Sequence, residues 1–180
     1  MTELGDTYRR RADAFAALID GTPPERWSSP SPCEGWRATD VVRHVVDYSG
    51  HVLRSQAGMS EVPTFTAFAD PAAAFTAIRQ VLERLLDDPS TPSKVASHVH
   101  WSLSFDLPQH GWDLAVATGQ DSTMDPDEVD LLWGSLSGAK DNWAWQRANR
   151  WYGDPVPVSD DAPLQDRVLG LLGRDPAWKQ

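Results

Sequence analysis

Apolar residues recur at three- and four-residue intervals through five stretches of this sequence, and few segments alternate as a half-buried strand would. Proline, glycine and Asp-Pro pairs punctuate the stretches. The first helix is expected over residues 2–20, with Leu4, Tyr8, Phe15, Leu18 and Ile19 near one side and Arg9, Arg10 and Arg11 facing out or sideways. Gly21 and Pro23-Pro24 stop it. A loop over 21–37 carries Trp27 and Trp36. The second helix covers about 38–57 and ends near Gly58, and a linker over 59–70 packs Phe65 and Phe68 down. Asp70-Pro71 pairs an N-cap with a proline at the first helical position and opens a third helix to Leu86. Residues 87–100 read as a loop with a short extended piece at Val95–His100. A fourth helix follows over about 103–118, closed by Gly119. Asp125-Pro126 repeats the cap signal and opens a fifth helix to about Ala148, with Val129, Leu132, Trp133, Leu136 and Trp143 at helical spacing. Irregular chain over 149–163 and a short helix over 164–172 complete an all-α bundle with a helical C-terminal extension.

The 180 residues are enough for one domain with a sizeable core. A single domain is expected, its core over about 2–148 and its extension over 149–180. The net charge of −10 argues against nucleic acid and against an anionic membrane surface, both of which favour basic patches. No apolar run reaches the length of a membrane span. The polar, acidic start is unlike a signal peptide, so a cytoplasmic protein is expected. The single cysteine, Cys33, excludes an intrachain disulfide and a multi-cysteine zinc knuckle.

Two stretches carry chemistry. In Ser31–His44, Pro30 and Pro32 hold the chain extended, Gly35 permits a turn, and Trp36 is large enough to pin the loop to a core. Thr39 or Asp40 can cap the helix that follows, with Val41, Val42, Val45, Val46, Val52 and Leu53 as its apolar side and His44 on its second turn. In Asp106–Asp113, Asp106 and His110 stand four apart and face the same way on a helix, and Asp113 joins that stripe three residues later. Two imidazoles and one carboxylate from facing helices leave positions open on zinc or another divalent ion, as a catalytic metal requires. The Asp-x3-His pattern alone has a plainer reading: Asp106 as a helix N-cap and His110 as a core or surface residue, which Pro108 favours because proline suits a helix's first turn. His51, His98 and His100 read as exposed or capping residues, and Cys33 as a quiet buried thiol.

Taken together, Trp27-x2-Pro30-Ser-Pro-Cys-Glu-Gly-Trp36, Asp40-Val-Val-Arg-His44 and Asp106-x3-His110-Gly-Trp-Asp-Leu-Ala-x-Ala-Thr-Gly119 resemble the metal-binding domain of mycothiol-dependent maleylpyruvate isomerase, within the DinB-like four-helix bundles. Pro155–Arg167 and Leu172–Pro176 resemble the C-terminal end of an uncharacterised subgroup. The resemblance implies a divalent metal held by His44, Asp106 and His110, with zinc first and nickel, manganese or iron as the other candidates. It also implies mycothiol as a thiol cofactor in isomerase or transferase chemistry. The isomerase has Glu where this chain has Asp106, Pro108 falls inside the pair, and the isomerase's additional C-terminal domain has no room here. The expected partners are a small thiol and a small electrophilic substrate, with Trp36, Trp101 and Trp112 walling the pocket and Arg37 or Arg43 holding a carboxylate. The chain is expected to be a monomer or homodimer. The other reading is a metal-binding or structural module without catalysis.

Overall fold

A computed structural model of the chain describes residues 2–137 and 153–179. These fall into two compact units, Met1–Asp121 and Ser122–Gln180. Among the described residues there is no strand, only an isolated bridge between Pro30 and Arg37.

In the first unit α1 (Glu3–Asp20), α2 (Ala38–Ala57), α3 (Pro71–Asp87) and α5 (Asp106–Thr118) form the bundle, joined by α4 (Ser93–Ser104). Each of the four touches two neighbours: α1 and α2 both lie against α3 and α5. This is the expected all-α, DinB-like four-helix arrangement. The local signals are visible at the helix ends. Thr2 accepts from the Gly5 N–H at 3.1 Å to start α1, and Asp70 accepts from Ala73 at 2.8 Å to start α3. Helix α2 is capped differently from expectation. Arg37 is the N-cap residue, and Asp40 reaches back to its N–H at 3.0 Å, while Thr39 makes no cap bond. Gly58 and Gly119 close α2 and α5 in the left-handed conformation, which a β-carbon would strain. Between the helices, the valine stripe of α2 meets Tyr8, Ala12, Phe15 and Ile19 of α1 and Phe75, Ile78 and Leu82 of α3 in one buried cluster.

Three expectations fail. The segment 95–100 is not extended. It lies inside α4, with Val95 packed on the core and Val99 and Leu103 buried at i, i+4 and i+8. His98 and His100 are therefore helical residues rather than loop residues. The expected helix from 103 to 118 is in fact two helices that break at Phe105. Pro108 explains the break, because it has no N–H for the carbonyl of residue 104 and its ring crowds that turn. Arg11 does not face solvent either; it is 6% exposed, on the inner side of α1 with Ala12 and Phe15.

The ends of α1 and α3 are joined by charge. Arg9 Nη1 donates to Asp87 Oδ2 at 2.6 Å, and the Thr2 N–H reaches Asp87 Oδ1 at 3.3 Å. The hydrogen bond from Arg9 holds the Asp87 carboxyl below the usual carboxylate range. A carboxylate lowered in the folded state stabilises above its unfolded pKa and loses that contribution as pH falls through the folded one. Asp87→Asn is therefore expected to lower the urea midpoint at pH 6, with a gap to wild type that narrows below about pH 4. A gap of the same size at pH 6 and in strong acid would contradict this.

In the second unit, α6 (Pro126–Ser137) packs on α7 (Leu164–Leu171). Asp125 accepts from the Asp127 N–H at 2.8 Å, the cap that the Asp-Pro pair announces. Val129, Leu132 and Leu136 are buried on α6, and Val168 and Leu169 on α7. The Arg167 guanidinium lies 4.3 Å from the Trp133 ring centre, and Gln165 ties Ser122 and Met124 to α7. The expected continuation of the fifth helix to 148, with Trp143, lies outside the described residues. No helix among the described residues is long and apolar enough to cross a membrane.

Candidate metal centre

The loop before α2 is a closed turn. The Ser31 N–H donates to the Trp36 carbonyl at 2.9 Å, Trp36 to Cys33 at 3.0 Å, and Ala38 to Ser29 at 2.9 Å. Gly35, at φ 77°, makes the reversal. The turn lays the Trp36 ring against both histidines, with centroids 4.9 Å from His44 and 5.9 Å from His110. His44 comes from the second turn of α2. Asp106 and His110 come from the first turns of the neighbouring α5. Pro108 does not disturb their spacing, because it sits in the first helical turn, where backbone N–H groups have no helical partner.

His44, Asp106 and His110 converge. Their donor atoms all lie within 4.8 Å of one another. Asp106 Oδ1 is 3.5 Å from His44 Nε2 and 3.5 Å from His110 Nε2. A tetrahedral zinc with bonds of about 2.0–2.1 Å separates its ligand atoms by about 3.3 Å, so this spacing fits an ion better than it fits direct hydrogen bonds. The other oxygen, Asp106 Oδ2, is buried and has no hydrogen-bond partner among the described residues. An orphaned carboxylate oxygen beside two imidazole nitrogens suits a cation. Asp106 and His110 are buried, whereas the His44 side chain is 34% exposed, which leaves one side of the cluster open to a fourth ligand. The shorter reach of Asp, where the isomerase has Glu, still brings the carboxylate between the two rings.

The remaining candidates separate. Asp113 faces the other edge of His110: its Oδ2 is 2.9 Å from Nδ1. Cys33 Sγ lies 3.2 Å from the same oxygen, so Cys33, His110 and Asp113 form a second close group. His51 is exposed and stacks on Tyr48, and His98 is exposed on α4. Asp40 is spent on the α2 cap and on Arg43 at 3.2 Å, whose guanidinium also lies over Phe65. Of the three tryptophans expected at the pocket, Trp36 lines it and Trp112 is buried, but Trp101 is 59% exposed and packs edge-on against Phe105. Sequence reasoning missed Tyr48. Its ring is parallel to His44 at 5.7 Å, and its place one turn after His44 was the available signal. Burial and then the charge of Asp106 push the Tyr48 hydroxyl up, so it stays protonated at neutral pH and can donate.

The model of the mycothiol maleylpyruvate isomerase N-terminal domain matches residues 8–151. The chain belongs to this family. Within the mycothiol maleylpyruvate isomerase N-terminal domain family it is similar to two uncharacterized proteins of Mycobacterium tuberculosis, from strains CDC 1551 / Oshkosh and ATCC 25618 / H37Rv. Each is 29% identical, over 93% of this chain and 95% of the relative. No solved structure matches the chain significantly. The matched span covers His44, Asp106 and His110, as well as Trp36 and Tyr48.

Proposed function

We propose that this protein holds one divalent metal ion, zinc first, on His44, Asp106 and His110, and uses it with mycothiol in isomerase or transferase chemistry on a small electrophile. The observation that carries the metal is the 3.5 Å placement of Asp106 Oδ1 from both Nε2 atoms, beside the orphaned Oδ2. The thiol rests on family membership. A bound ion of this kind lowers the pKa of a coordinated thiol and holds it as thiolate. The chain's own residues do the rest. The half-exposed edge of His44 keeps the entry side open, Trp36 and Tyr48 flank it with flat apolar faces, and the protonated Tyr48 hydroxyl is a donor for an oxygen on the incoming substrate.

Cobalt-loaded protein tests the thiol. Adding mycothiol should produce a thiolate-to-cobalt charge-transfer absorption, since thiolate is a good ligand for such ions, and His44→Ala should abolish it. Metal that stays bound with no spectral response to thiol would instead support a non-catalytic metal-binding module.

A further inference from the structure

His110 has two ring nitrogens, and they have different neighbours. Nε2 faces Asp106 at 3.5 Å, and Nδ1 faces Asp113 at 2.9 Å. The first distance is long for a hydrogen bond and the second is not. A neutral imidazole carries one proton, and the nitrogen that donates leaves the other as a lone pair. We propose that Asp113 is a positioning residue that accepts a hydrogen bond from the Nδ1–H of His110, so that the Nε2 lone pair points at the space shared with His44 and Asp106, and that Cys33 braces Asp113 from the Ser29–Ala38 turn. This rests on the metal reading above.

Helix geometry makes the arrangement natural. Asp106 stands one turn before His110 and Asp113 nearly one turn after, so the two carboxylates bracket the ring along α5. Asp113 is fully buried, where a carboxylate needs donors, and both His110 Nδ1 and the Cys33 thiol lie on Oδ2, at 2.9 and 3.2 Å. The thiol contact spans 80 positions of sequence and joins the turn that carries Trp36 to the helix that carries two of the three ligands. A metal-binding histidine whose second nitrogen donates to a carboxylate is fixed in tautomer and orientation, and removing that carboxylate costs about 10–100-fold in metal affinity. The competing possibility is that Cys33, His110 Nδ1 and Asp113 themselves hold the ion, since their donor atoms also lie within 4.8 Å.

The experiment measures zinc affinity by chelator competition for wild type, His44→Ala, Asp113→Asn, Cys33→Ser and Cys33→Ala, together with the nitrogen-15 shifts of His110 in metal-free protein. His44→Ala should abolish tight binding. Asp113→Asn should weaken it by about 10–100-fold and move His110 toward the Nε2–H tautomer, a shift that a purely structural role would not produce. Cys33→Ser keeps a donor and should stay near wild type, and Cys33→Ala should lose only a few-fold. Wild-type affinity in Asp113→Asn, or an Nε2–H tautomer in metal-free wild type, overturns the proposal. The wild-type tautomer decides even where Asp113→Asn fails to fold. A loss in Cys33→Ser and Cys33→Ala as large as that of His44→Ala would place the ion on the thiol side and also overturn it. Wild-type affinity in His44→Ala would reject the metal reading itself, which is a different result from an inert Asp113.

Discussion

Zinc is expected to raise the melting temperature of the wild-type protein and to leave His44→Ala unmoved. An ion that binds only the folded chain adds about 2.7 kcal/mol when present at about 100 times its dissociation constant. For a chain of this size that is several degrees of melting temperature. His44 supplies one of three donors from a different helix than the other two, so its loss leaves Asp106 and His110 as an incomplete pair on α5. His110→Ala should remove the zinc increment as completely, and the double variant should have no further increment to lose, because both residues act through one ion. His110 is buried and stacks on Trp36, so its removal also lowers metal-free stability, whereas His44→Ala should cost less without zinc. The increment should be smaller at pH 5 than at pH 7.5, since protons compete with the metal for the same nitrogens. Melting curves with and without zinc at pH 7.5 and pH 5 check all of this. Additive losses that ignore zinc would mean that the histidines are packing residues.

Phe15→Ala is expected to cost about 3–5 kcal/mol. Phe15 is 1% exposed and meets Phe75 edge to face at 5.0 Å, at the centre of the α1–α3 contact. Its other neighbour is α5 at Gly111, where an added β-carbon would sit 3.6 Å from Leu18 Cδ1 and 3.9 Å from Phe15 Cδ2. The ring therefore packs against α5 at Gly111, the residue that follows His110 in sequence. Its truncation leaves a cavity that rigid helices close only in part. The urea midpoint of the first unit should fall by an amount of order 1 M or more. The zinc increment should survive in the fraction that remains folded, since no ligand is removed. A midpoint within a few tenths molar of wild type would show that α1 and α5 collapse onto the gap.

Much of the bundle was legible because its signals are local. The valine stripe and Gly58 bound α2, and Asp70-Pro71 opens α3, with no reference to the rest of the chain. Helix α4 was not legible in the same way. It carries five apolar residues, Val95, Ala96, Val99, Trp101 and Leu103, two of them β-branched, among histidines and serines, with no side-chain cap at its start, and its helical state depends on burial of Val99 and Leu103 in the core. The burial of Arg11 is likewise tertiary in origin, whereas the break at Phe105 has a local cause in Pro108. In the site, the spacing of Asp106 and His110 follows from helix periodicity, but the third member, His44, lies 62 positions before Asp106, and no local spacing joins it to the pair. Spacing put Asp113 on the same stripe as Asp106. It could not show that the two carboxylates serve opposite edges of one ring, or that Cys33 closes on Asp113 across 80 positions.

The most direct test of the account is an anomalous difference map at the zinc edge from crystals of the zinc-loaded protein. The account predicts one strong peak bonded to His44 Nε2, His110 Nε2 and an oxygen of Asp106, at about 2.0–2.2 Å from each. A peak on the Cys33, Asp113 and His110 Nδ1 side, a peak away from all three ligands, or no ordered peak in protein that binds zinc in solution would contradict it.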